Sequence, residues 1–281
     1  MTKYHANRHA IAGDPVKFRK TLLIAAAFAA ITVGTPHATA ATPHFGVRCQ
    51  SDFQNSWAAT IDVYTACADF ISQIQSYWPV DFYFNLHGAQ SAFYSGTPAE
   101  TCDSCGGVDS VDFFVMMTHG TIANNNANYA GYAMWDSHIV AWTPSMRFGD
   151  AGKEVKVLAT FSCDTLKNGD GLLPSRWHGP FAGGLKIVVG AHDLLWTGSD
   201  DTAMQDFAND LENNISIGSS WLDSVYYANN SNNPTVANTG TNTSNCWSRQ
   251  GVTVNQVMSE PVLRDANVGY YCWTNWGSGP E

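Results

Sequence analysis

Two short stretches of the 281-residue chain hold the side chains that amide chemistry asks for, His119-Gly120 and Ser162-Cys163. A thiolate attacks a carbonyl carbon, a neighbouring imidazole stabilises it or protonates the leaving amine, and a glycine leaves its backbone N–H open to a developing oxyanion. Cys163 is therefore the candidate nucleophile and His119 the candidate acid/base, with the N–H groups of Gly120 and Cys163 as oxyanion donors. Cysteine usage singles out the same thiol. Of seven cysteines, six form local pairs, Cys49 with Cys67, Cys102 with Cys105 and Cys246 with Cys272, although six cysteines can be joined in other ways. Cys163 is left over, directly after an apolar run, where an inert buried thiol is the alternative to a reactive one.

Three near-continuous apolar runs must position these residues. Residues 111–118 lead into His119, 155–162 into Cys163, and 185–190 into Ala191-His192-Asp193-Leu194-Leu195-Trp196. Runs that do not alternate are buried on both faces, which predicts a mainly parallel sheet covered by helices. The carboxyl ends of such strands form the ligand crevice, so neighbouring strands would bring His119 and Cys163 out side by side. Apolar residues three and four apart, from Phe53 through Trp57, Ile61, Tyr64, Ala68, Ile71 and Ile74 to Trp78, predict an amphipathic helix ended before Pro79. Residues 202–213 and 219–228 read as two further helices and 80–86 as a short extended run. The polar-to-aromatic stretch from Asn124 to Asp136 is placed to fold over the site as a wall or lid.

Order and placement together resemble the caspase-like (clan CD) cysteine peptidases, among them caspases, legumains, gingipains and clostripain. In these, an apolar strand ending His-Gly precedes another ending in the nucleophilic Cys. The resemblance runs from about residue 111 to 190 and, less closely, to 228. It implies a caspase-like three-layer α/β sandwich, a His119–Cys163 dyad, and a cleft lined by the strand after the nucleophile, which makes His192, Asp193 and Trp196 candidates for substrate contact. Relatives that cleave after Arg or Lys have an acidic residue just before the nucleophile; Phe161 and Ser162 stand there instead, so a basic-specific pocket is not implied. His119-Gly120, Phe148-Gly149-Asp150, Ser162-Cys163-Asp164-Thr165-Leu166, Arg176-Trp177, Phe181 and Gly183-Gly184-Leu185 also resemble a bacterial family of exported domains of unassigned function.

Charge narrows the partners. The chain has 14 basic and 24 acidic residues, and from Ala41 onward 9 against 23, so nucleic acid and anionic membrane surfaces are poor partners. Residues 1–40 read as a signal peptide: a basic stretch ending at Arg19-Lys20, an apolar run of about 13 residues, too short to span a bilayer, and Ala38-Thr39-Ala40 as a cleavage site. The expectation is a secreted protein, extracellular or periplasmic, with no stable membrane insertion after cleavage. Residues 41–228 form the α/β domain, 229–245 an Asn/Thr/Ser-rich linker or loop, and 246–281 a small disulfide-bonded C-terminal extension rich in aromatics. No H-E-x-x-H, paired Cys-x-x-Cys, Walker loop or G-x-S-x-G elbow is present, so neither metal nor organic cofactor is expected. The function these readings favour is a cysteine hydrolase cleaving peptide bonds through an acyl-enzyme, with a peptide or protein as substrate. An acyl transferase or peptide ligase would use the same residues. A catalytically inactive module binding glycan or protein through the Trp-rich tail is the rival. A working dyad would keep the thiol reactive well below a pH of about 8.5.

Overall fold

The computed structural model describes residues 42–53, 56, 58–85, 108–134, 140–146, 148, 155–196, 202–260 and 268–277. The expected leader, the Cys102 to Cys105 link, Trp57, His87-Gly88, Trp135-Asp136 and Gly149-Asp150 lie outside these described residues. In chain order the elements are β1 (Phe45–Cys49), α1 (Tyr64–Ile74), β2 (Val80–Asn85), β3 (Phe113–Met117), β4 (Gly120–Ile122), β5 (Ala130–Ala133), β6 (Val140–Trp142) and β7 (Val157–Phe161). Then follow α2 (Leu173–Gly183), β8 (Ile187–Ala191), α3 (Ala203–Glu212), α4 (Ile217–Ala228), β9 (Pro234–Gly240), α5 (Thr243–Ser248), α6 (Val254–Ser259) and β10 (Tyr270–Asn275).

Seven strands form one sheet in the order β10-β9-β8-β7-β3-β1-β2. Neighbours from β2 to β8 are parallel; β9 runs against β8, and β10 against β9. Because successive side chains on a strand point to opposite faces, each apolar run feeds two cores. Phe113, Val115 and Met117 of β3, with Val157, Ala159 and Phe161 of β7, pack under α1, α3 and α4. Phe114, Met116 and Leu158 meet Leu173, Trp177 and Phe181 of α2 on the other face. Each fully buried Phe or Leu contributes roughly 2–3 kcal/mol of transfer free energy, so the uninterrupted runs are what make the strands central. The result is the expected α/β sandwich with a mainly parallel sheet.

Two expectations are corrected. The helix predicted from Phe53 begins only at Tyr64, because the described residues 50–53 and 58–63 are not helical and lie at the carboxyl edge of the sheet, where Gln50 N–H donates to Met117 O and Ala59 O meets His119. The stretch 229–245, expected as linker or loop, contains β9, buried along its whole length. Its Thr235, Asn238 and Thr239 are buried polar residues; β8 and β10 take up the backbone groups on both sides, and Thr235 Oγ1 meets His192. Pro234 opens the strand, where a missing N–H costs no ladder bond. The C-terminal segment then supplies β10, paired with β9 from Tyr270 to Asn275 and tied back by Cys246–Cys272. A second disulfide, Cys49–Cys67, ties β1 to α1.

Candidate active site

Parallel register brings the chemistry together. Met117 of β3 is level with Phe161 of β7, so His119 and Cys163 leave the sheet at equivalent positions on adjoining strands. The backbones of Gly120 and Cys163 touch. A Cβ built on Gly120 would lie 1.9 Å from the Cys163 carbonyl oxygen and 2.8 Å from Cγ2 of Thr165, so only glycine fits.

Gly120 also begins β4, the edge strand of a three-stranded antiparallel sheet ordered β4-β5-β6. Ala133 N–H donates to His119 O and Ala123 N–H to Tyr129 O, and antiparallel ladders alternate bonded and non-bonded pairs. The Gly120–Tyr132 pair is thus a non-bonded one, and the Gly120 N–H points away from β5. Neither this N–H nor that of Cys163 donates to a carbonyl among the described residues. The Gly120 N–H is thus left without a carbonyl partner at the contact, while the Cys163 N–H turns toward its own sulfur.

The His119 ring is fixed from the other side. Nε2 lies 2.8 Å from the Ala59 carbonyl, which can only accept, so Nε2 carries the proton in the neutral ring and Nδ1 is the nitrogen free to exchange one. Phe53 stacks on the ring at 5.5 Å. Both partners come from the loop that begins at residue 50, which explains why that loop is not helical.

Cys163 faces the segment after β8. Leu195 N–H approaches Sγ at 3.3 Å, and the thiol points to Leu195 O at 3.7 Å. Asp164 holds a left-handed φ of 57°, which Asp tolerates better than most residues, and its N–H donates to Asp193 O at 2.9 Å. No hydrogen bond joins the thiol to His119. Burial pushes the Cys163 thiol up from its ordinary value, and the Asp164 and Asp193 carboxylates add to this, against the pull of the Leu195 N–H. This direction runs against the expected low-pH thiolate, since burial and the neighbouring carboxylates favour the thiol.

The three residues proposed after β8 separate. Asp193 sits near the sulfur, Trp196 is exposed with its N–H on Asn232 Oδ1 at 2.7 Å, and His192 turns inward to Thr235 Oγ1 at 2.9 Å. Burial pushes His192 below its ordinary pKa. Two residues of α2 brace the site. Arg176, fully buried, donates from Nε to Ala127 O at 2.7 Å, from Nη1 to Lys167 O at 2.6 Å and from both Nη atoms to the Asp170 carboxylate, while Trp177 Nε1 donates to Thr165 O at 2.8 Å. The dipeptide thereby ties the loop after Cys163 to the β4–β5 connection. Leu195, Ala59 and Trp142 escaped the sequence reading, since two act through backbone atoms and the third through a cleft that only the small sheet creates.

Fold and strand ends together define an α/β sandwich with a cysteine and a histidine on adjoining strands. The chain belongs to the family described as Domain of unknown function (DUF6345), whose model matches residues 46–275. No curated protein matches it. Among solved structures, the Drosophila initiator caspase Dronc is similar over 66% of this chain and 72% of its own, with 15% identity and a TM-score of 0.43. Protein GSU0716 from Geobacter sulfurreducens is similar over 66% of this chain and 88% of its own, with 9% identity and a TM-score of 0.34. The two described disulfides are compatible with an oxidising compartment. Among the described residues no helix is long and apolar enough to cross a membrane.

Proposed function

We propose that this protein is an exported, caspase-like cysteine hydrolase that cleaves peptide bonds. The observation that carries this reading is the contact of Gly120 with the Cys163 backbone, with the Gly120 N–H directed away from β5 and His119 held by its Nε2 beside it. The peptide carbonyl oxygen sits between the N–H groups of Gly120 and Cys163. Cys163 gives its proton to His119 Nδ1 and its sulfur bonds to the carbonyl carbon, forming a tetrahedral oxyanion. The C–N bond then breaks, its nitrogen takes the proton from His119, and a thioester remains. Water adds to the thioester with His119 as base, releasing the acid and restoring the thiol. Transfer to an amine in place of water uses the same steps.

Since thiol and imidazole are not hydrogen bonded in the resting protein, proton transfer begins only when substrate occupies the site. Iodoacetamide should therefore label Cys163 slowly at neutral pH, the rate climbing through and above the ordinary thiol range of about 8.5, as followed by intact mass and peptide mapping. Cys163→Ala should fold and lose turnover on a peptide library at every pH, and His119→Ala should lose it nearly as fully. Turnover retained in Cys163→Ala would sink the dyad. Exposed Tyr227, packed edge-on with Tyr226 and Trp276, favours the second reading, an inactive binding module. Wild-type protein without turnover that still retains glycan, and loses it in Tyr227→Ala, would establish that reading instead.

A further inference from the structure

The small sheet has two unlike faces. Rows set by the register place Gly120, Tyr132 and Ala141 on one face, where Tyr132 and Ala141 are fully buried. On the other lie Thr121, Gly131 and Trp142 in one row and Ala133 and Val140 in the next. That second face floors a cleft of about 450 Å³ into which His119 and the Gly120 backbone open, with Asn124 and Asn125 at its rim. A Cβ on Gly131 would meet Trp142 Cε3 and Val140 Cγ1 at 2.6 Å each, so the glycine lets the indole lie across the sheet. The Tyr129 ring stands against it at 6.2 Å.

Cys163 does not line this cleft; its sulfur is on the Leu195 side of the Gly120 contact. That asymmetry assigns a direction to the substrate. In the acyl-transfer step the part bonded to sulfur stays on the Cys163 side, while the amine that takes its proton from the imidazole leaves on the His119 side. Resting on the proposed peptidase reading, we infer that the cleft is the subsite for the residue following the scissile bond, and that it selects an uncharged aromatic or branched aliphatic side chain there. Trp142, Val140 and Ala133 supply an apolar bed. Among the described lining residues the imidazole is the one titratable group, so a carboxylate or ammonium seated here would lose water without gaining a partner. The rim amides of Asn124 and Asn125 can bond the peptide groups that continue the chain. An amine bound in this cleft is also positioned to attack the thioester, so the same subsite governs transfer to an acceptor.

The test is a peptide library fixed before the scissile bond and varied after it. The expected kcat/KM favours Phe, Leu or Ile over Asp, Glu and Lys at the varied position by about tenfold or more. Trp142→Ala should flatten that preference through KM. The exposed Asn125→Lys, which cannot disturb a core, should shift it toward Asp and Glu. A flat profile in an active enzyme, or one unmoved by both variants, overturns the subsite and leaves the dyad standing. A second readout does not need turnover: hydrogen exchange of Cys163→Ala protein with Phe- or Leu-initiated dipeptide amides. Protection over 119–125 and 140–142 is expected. Protection there, with no turnover by the wild-type protein on any member of the library, would fell the peptidase reading alone, and absence of protection would fell the subsite.

Discussion

At the residue scale, Gly120 and His192 bear different loads. Gly120 gives up its side chain so that two strand ends can touch, and any Cβ must displace the Cys163 carbonyl. Gly120→Ala should cost at least about a hundredfold in kcat by spoiling an oxyanion donor, while circular dichroism stays that of the wild type. His192 is a stability group. Its Nδ1 meets Thr235 and its buried Nε2 has no hydrogen-bond partner among the described residues; burial outweighs the pull of Asp193 and the Asn233 backbone, so the fold favours the neutral ring and holds its pKa below the usual value. The stability this provides is full above the unfolded value of about 6.5 and is lost as pH falls below it toward the lower folded value. Urea midpoints should therefore drop between about pH 7 and pH 5, and His192→Gln should remove much of that drop. Equal slopes for both proteins would refute the assignment.

At the element scale, α2 acts as a clamp. Arg176→Ala leaves Ala127 O and Lys167 O without their donor and Asp170 without its cation, a loss of about 3 kcal/mol by the measure of broken buried ion pairs. Burial alone would raise the Asp170 carboxyl, but the Arg176 bonds, the Leu172 N–H and the charges of Arg176 and Lys167 together hold it below the ordinary value. Lysine should not rescue the change, since a single ammonium cannot serve three loop groups in a planar fork; urea unfolding of both variants checks this. The legibility of elements followed their chemistry. β3, β7 and β8 could be read because uninterrupted apolar runs have one good solution. β1 was missed because Phe45-Gly46-Val47-Arg48-Cys49 is short and holds an arginine. β9 was missed because Thr235, Asn238 and Thr239 have the composition of a loop, and only partners on both sides make that backbone a strand. The start of α1 was misplaced because Phe53, although on the helical period, is spent on the His119 ring. The placement of His119 and Cys163 at adjoining strand ends was legible from their order and the apolar runs before them; the surroundings of the Cys163 sulfur were not, since Asp193 and Leu195 reach it from a segment some thirty residues on.

At the scale of the whole molecule, closure of the sheet depends on residues far apart in the chain. Removing Cys49–Cys67 by paired alanine substitution opens an 18-residue separation and should cost about 3 kcal/mol, measured as a shift in the denaturant midpoint. The position of β9 has a consequence for how the protein is made. β8 is flanked on one side by β7 and on the other by a strand that begins only at Pro234, which is in turn covered by one ending at Asn275. Until those last segments have left the ribosome, β8 is an open hydrophobic edge of the kind that recruits other chains, and Cys246 has no Cys272 to join. A chain stopped after residue 233 should therefore aggregate, and the intact one must stay unfolded or chaperoned until synthesis is nearly complete. Under the proposed export, late completion of the sheet leaves the polypeptide slack enough to be threaded through a translocation channel before its oxidised form locks.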